Sequence, residues 1–176
     1  MVRITDCVYC KFDGEILFET DKVTAALPKN PQVPGHAIVF PKTHIQILEQ
    51  ANDEVISALF EAANKLSIAM FEGLKAMGTN LIIMNGLAAG QKTAHLGVEV
   101  IPRTKDDGLS FNWPGRKIPD EQMGVIAEQT KGFLEDAKNE SHHKESENAP
   151  SRGPSHGKDD SPHPEDRKST RLNSSH

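Results

Sequence analysis

The sequence predicts an α+β domain with a mainly antiparallel sheet, one long central helix and a C-terminal helix. Three observations carry this. Short apolar runs recur between turn residues, the first pair being EILFET (15–20) and KVTAAL (22–27). Val55, Ile56, Leu59, Phe60, Ala63, Leu66 and Met70 recur near 3.6 residues and form one helical stripe. HLGVEVIP (95–102) alternates with a period of two, which is the pattern of a half-buried strand.

In chain order, EILFET and KVTAAL are expected to be short strands joined as a hairpin. Pro28, Pro31, Pro34 and Gly35 then impose an extended, turning connection. HAIVFP (36–41) reads as a buried strand closed by its proline. Asn52 or Asp53 caps the central helix, expected to run to about Met77, and its apolar stripe packs on the sheet. TNLIIMNG (79–86) is a short strand, LAAGQK (87–92) a loop, and HLGVEVIP the last strand. On that strand His95, Gly97, Glu99 and Ile101 share one face, while Leu96, Val98 and Val100 form a core face. An irregular arm with Phe111 and Trp113 follows, and Pro119 opens a final helix over about 120–138.

Nearly all large apolar residues precede Leu134, so a folded unit is expected at 3–139 and a disordered polar tail at 140–176. The tail's end, DRKSTRLNSSH, resembles a translated sequencing-adaptor remnant rather than native chain. With 20 Lys and Arg against 25 Asp and Glu, the chain carries a net charge of −5. That argues against a nucleic acid polymer or an anionic membrane as partner, since both need a basic footprint. A single nucleotide needs only a local cluster of donors. No segment reaches the length of a membrane span, and MVRITDCVYCKF lacks the apolar stretch of a secretory signal. A cytoplasmic location is expected.

The two cysteines, Cys7 and Cys10, form one CxxC, which suits a metal or redox role better than a disulfide framework. The folded unit offers three histidines beside them, His36, His44 and His95. A structural zinc site takes four soft or borderline ligands, and a CxxC with two distant histidines supplies them. The alternatives are a reduced, inert pair or a labile disulfide.

The combination of CVYC, PGHAIVFPKTH and GLAAGQKTAHLGVEVIPR, in that order, resembles the histidine triad (HIT) superfamily of nucleotide hydrolases and transferases. In that family the strand after AGQ presents three alternating histidines, the middle one attacking the α-phosphorus of a nucleotide. The resemblance places the first on His95, the middle on Gly97 and the third on Glu99. Glycine has no side chain with which to attack. The family's ribose-binding carboxylate falls on Pro28 and its loop asparagine on Met84, next to Asn85. Gly90 and Gln91 of the phosphate-side loop are kept, with Lys42 and Arg103; Lys92 follows Gln91. The resemblance therefore implies phosphate contacts from Lys42, Asn85, Gln91, Lys92 and Arg103. It also selects Cys7, Cys10, His44 and His95 as ligands of a structural Zn2+, and leaves His36 to bond the backbone or pack near the Pro31–Gly35 turn.

Two functions follow from the resemblance. One is a zinc-stabilised HIT-like module that binds a nucleotide or other phosphorylated ligand without the usual histidine chemistry. The other is a divergent phosphoanhydride or phosphoramidate hydrolase in which Glu99 acts as nucleophile or base, the space above Gly97 admitting water. Glu99 lies about 6.6 Å along the strand from the usual attacking position. The family also implies a homodimer with long helices near the interface, and Ala62, Ala63, Ser67 and Ala69 would permit close packing there.

Overall fold

The computed structural model describes residues 7–147. Five strands, β1 (Glu15–Glu19), β2 (Val23–Leu27), β3 (Ala37–Pro41), β4 (Gly78–Ile82) and β5 (Val98–Arg103), form one sheet in the order β1-β2-β3-β5-β4. Every neighbouring pair is antiparallel. Helix α1 (Asp53–Leu74) lies between β3 and β4 in the chain, and α2 (Asp120–Glu147) follows the sheet. This is the α+β fold expected from the sequence, with its antiparallel sheet and long central helix.

Strand alternation divides the sheet into two faces. Val23, Ala25, Ala37, Val39, Val98 and Val100 are buried on the first, packed with Leu59, Ala62, Ala63, Leu66 and Met70 of α1. Helix α1 starts where the sequence expects: the Asn52 side chain accepts from the Val55 N–H at 3.0 Å. It stops three residues early, with Lys75 in the left-handed region (φ 59°). Ala62 and Ala63 point into the core rather than a seam between subunits. Their small size lets α1 approach the sheet.

On the second face Ala26, Ile38 and Phe40 are buried under Tyr9 and Phe12 of the N-terminal segment. Tyr9 stacks on Phe40 with ring centroids 4.8 Å apart. The ladder sets Ile38 opposite Glu99, so His36, Ile38, Gly97 and Glu99 share this face. The expected strand 95–102 begins only at Val98, because the residues before it bond elsewhere: the His95 N–H closes a bend on Thr93 O at 2.8 Å, and the Leu96 N–H donates to Ile45 O, far back in the chain, at 2.7 Å.

The chain divides into two compact units, Met1–Asn112 and Trp113–His176. The sheet and α1 belong to the first and α2 to the second. Helix α2 continues past the expected end near 138 to Glu147. No glycine or proline interrupts the sequence between Gly132 and Pro150. Residues 140–147 of the expected disordered tail are thus helical, and the rest of it, 148–176, lies outside the described residues. Among those described, no helix is long and apolar enough to cross a membrane.

Candidate functional site

At the N-terminal edge of the second face, four side chains converge. One ligand atom from each of Cys7, Cys10, His44 and His95 lies within 4.8 Å of the other three. Cys7 Sγ is 3.2 Å from His95 Nδ1, Cys10 Sγ is 3.2 Å from His44 Nδ1, and Cys10 Sγ is 3.6 Å from His95 Nδ1. His95 Nε2 lies 2.9 Å from Pro41 O. A carbonyl only accepts, so the ring proton sits on Nε2 and the Nδ1 lone pair faces the sulfurs, the arrangement a metal ligand requires. Burial pushes the His95 pKa down, the Pro41 bond opposes this, and nearby His44 adds to the lowering. The Cys10 thiol is pushed up, first by desolvation and then by Cys7. Both cysteines are free thiols, and the cluster could hold a metal ion.

Beside the cluster opens a cleft of about 700 Å³. Tyr9 and Phe12 form one wall, Pro28, Lys29, Asn30 and Gln32 another, and Gln91, Lys92 and Thr93 a third; His36, Ile38, Gly97 and Glu99 lie on the sheet between them. Lys11 and Lys92 line the cleft without an ion pair among the described residues, whereas Lys29 pairs with Asp13 at 2.6 Å. Burial raises the Tyr9 pKa, and the Glu99 charge adds to it.

The structure brings together only some of the residues expected at the phosphate site. Gln91, Lys92 and Glu99 line the cleft. Gln91 is also a brace: its Oε1 accepts from Gly86 N–H at 2.8 Å and its Nε2 donates to Gln46 O at 2.7 Å. Gly86 and Gly90 both have φ near 90°, the left-handed backbone that this loop requires. Lys42, Asn85 and Arg103 do not line the cleft. Lys42 Nζ reaches Glu19 at 3.4 Å. Asn85 accepts from Leu48 N–H and donates to Glu49, tying two loops together. Arg103 forms a fork on Asp107 at 2.6 and 2.9 Å, donates to Asn80 Oδ1 and Leu109 O, and lies 5.4 Å from the Phe111 ring centroid.

Gly97 lies on the floor of the cleft, as expected, but Ile38 crowds its Cβ position. A Cβ at Gly97 would come within 3.0 Å of Ile38 Cδ1 and 3.4 Å of Ile38 Cγ1. His36, expected to bond the backbone or pack near the Pro31–Gly35 turn, bonds the backbone, its Nδ1 accepting from Gln32 N–H at 3.3 Å. It has a second relationship that sequence reasoning missed: its Nε2 lies 3.5 Å from Glu99 Oε2. The signal was the shared sheet face, two residues from Ile38, which is paired with Glu99.

This antiparallel α+β sheet with its long central helix is the fold of HIT family proteins. The HIT domain profile matches residues 11–106, and the chain belongs to the HIT family. It is 34% identical over 106 residues to an uncharacterised HIT-like protein of Saccharolobus solfataricus, covering 57% of this chain and 76% of that one. It is 30% identical to an adenosine 5'-monophosphoramidase of Saccharomyces cerevisiae, covering 73% and 83%. It is 35% identical to an adenylylsulfatase of Arabidopsis thaliana, covering 59% of this chain and 55% of that one. Among solved structures, a HIT family protein of Bacillus subtilis matches with TM-score 0.65 at 27% identity, covering 72% of this chain and 96% of that one. A Zn-bound histidine triad protein of Mycobacterium smegmatis matches with TM-score 0.58 at 28% identity, covering 77% and 99%.

Proposed function

We propose that this chain is a zinc-stabilised HIT module that binds a nucleotide or other phosphorylated ligand in the cleft, without the family's histidine nucleotidyl transfer. The observation that carries the reading is Gly97 at the position of the family's nucleophile, with the Ile38 side chain against it. The attacking group is absent and Ile38 crowds the Cβ position, while Lys11 and Lys92 line the cleft. Lys11 and Lys92 supply positive charge, and Thr93 supplies a hydroxyl. The names of the yeast and Arabidopsis relatives, both acting on adenylyl compounds, support a nucleotide as ligand class.

The residues fit zinc. Tetrahedral bonds of about 2.3 Å to sulfur and 2.0–2.1 Å to nitrogen give sulfur–nitrogen edges of about 3.6 Å, against the 3.2 to 3.6 Å seen here. Four protein ligands leave no open position, so the ion's role is structural. A cation there would hold both thiols as thiolates, reversing the rise at Cys10. The Zn-bound mycobacterial neighbour supports the choice of metal.

Glu99 favours a second reading, hydrolysis with this carboxylate as base or nucleophile. It is the acidic side chain on the sheet floor of the cleft, and its Oε2 is buried without a hydrogen-bond partner. A cytoplasmic homodimer completes the proposal. Phe71, Leu74 and Leu81, on α1 and edge strand β4, are exposed and apolar, which supports a second copy packing there.

Calorimetric titration of AMP and pyrophosphate into the metal-loaded chain tests the main reading. Binding that weakens several-fold in Lys92→Ala and at high salt is expected. Absence of binding by both compounds would sink it. Turnover of an adenylyl phosphoramidate that is lost in Glu99→Gln would favour the second reading.

A further inference from the structure

We infer that His36 and Glu99 together form a receptor for one hydroxyl group of the ligand. The inference rests on the proposed phosphorylated ligand and specifies what else that ligand carries.

His36 is 3% exposed and precedes β3. Its Nδ1 accepts from the Gln32 N–H, and a backbone amide can only donate. The ring proton is therefore on Nε2, which faces Glu99 Oε2 at 3.5 Å without making a hydrogen bond to it. Both atoms are buried, both lack a partner, and both residues line the cleft. Buried polar atoms left unpaired are costly, so a matched pair of them in a cleft marks the place of a missing group.

The chemistry of that group follows from the pair. Nε2–H requires an acceptor, and the facing carboxyl oxygen of Glu99 accepts a donor. A phosphate oxygen only accepts, and Glu99 repels it; an ammonium only donates, and the Nε2–H opposes it. A hydroxyl accepts from His36 and donates to Glu99 through one oxygen. The ligand's phosphate then belongs near Lys11 and Lys92, and a hydroxyl of its polyol portion belongs on the sheet.

The test compares AMP, 2',3'-dideoxy-AMP and pyrophosphate by calorimetry on the metal-loaded chain. AMP should bind about tenfold or more tightly than the dideoxy compound, the range of a hydrogen bond to a charged group. In Glu99→Met, checked for folding by circular dichroism, the two affinities should converge. Equal binding of both nucleotides to the unaltered chain, as when solvent water alone fills the couple, overturns this inference but leaves the phosphate reading standing. Failure of both AMP and pyrophosphate to bind removes that reading and this inference with it. A readout independent of variants is the His36 tautomer by nitrogen-15 NMR. Nε2–H is expected, and a proton on Nδ1 would overturn the receptor.

Discussion

Ile38 crowds the position that a Cβ at Gly97 would take. Its Cδ1 lies 3.0 Å from the Cβ position, and β3 holds it in register with Glu99. A histidine at this position therefore requires Ile38 to shift. Gly97→His should destabilise the fold by about 1–3 kcal/mol through overpacking. Gly97→His combined with Ile38→Ala should recover much of that loss. Urea unfolding of the two variants decides between this and a free site; an undisturbed Gly97→His would show that Ile38 moves aside at little cost.

The metal cluster predicts about one zinc per chain when the protein is prepared without a histidine tag. Cys7→Ser should reduce zinc content sharply and lower the melting temperature by about 10 °C or more, because binding free energy at a structural site is folding free energy. Unmutated protein that binds no zinc would remove the site.

Acid stability depends on a different pair. Arg103 holds the Asp107 carboxyl well below the usual carboxylate range, and the Leu109 and Thr104 N–H groups add to this. A folded value below the unfolded one means stability present above about pH 4 and lost as pH falls toward the folded value. Asp107→Asn should flatten that fall. Urea midpoints at pH 7, 4 and 2.5 measure it, and an unchanged slope would show that other carboxylates dominate.

Asn52→Ala should cost about 1 kcal/mol by leaving the Val55 N–H without its cap. The change should appear in the urea midpoint with no change in zinc content.

The fold was legible in the sequence because burial on one face imposes a periodicity. The α1 stripe met a core of β-branched residues and alanines at the spacing a helix on a sheet requires, and Leu96, Val98 and Val100 fell on the core face. Helix ends were less legible. Lys75 ends α1 in a left-handed turn that no glycine announces, and α2 runs on through polar residues with no breaker to mark its end. At the site, Cys7, Cys10, His44 and His95 converge, although their spacing alone left His36 equally eligible. The phosphate residues separated for a physical reason. A charge in a sequence carries no direction, and Lys42, Asn85 and Arg103 each found a partner on the protein itself. The His36–Glu99 couple was hidden because it joins two strands through a register that only the ladder reveals.

The four-residue cluster does more than close one end of the sheet. Cys7 and Cys10 bracket the turn that carries Tyr9, and with Phe12 this segment forms a wall of the cleft. An ion at the cluster and a ligand resting on that wall would draw on the same backbone placement. Their affinities are then thermodynamically linked, each raising the other by an equal factor. Chelation should weaken AMP binding, and AMP should slow the loss of zinc.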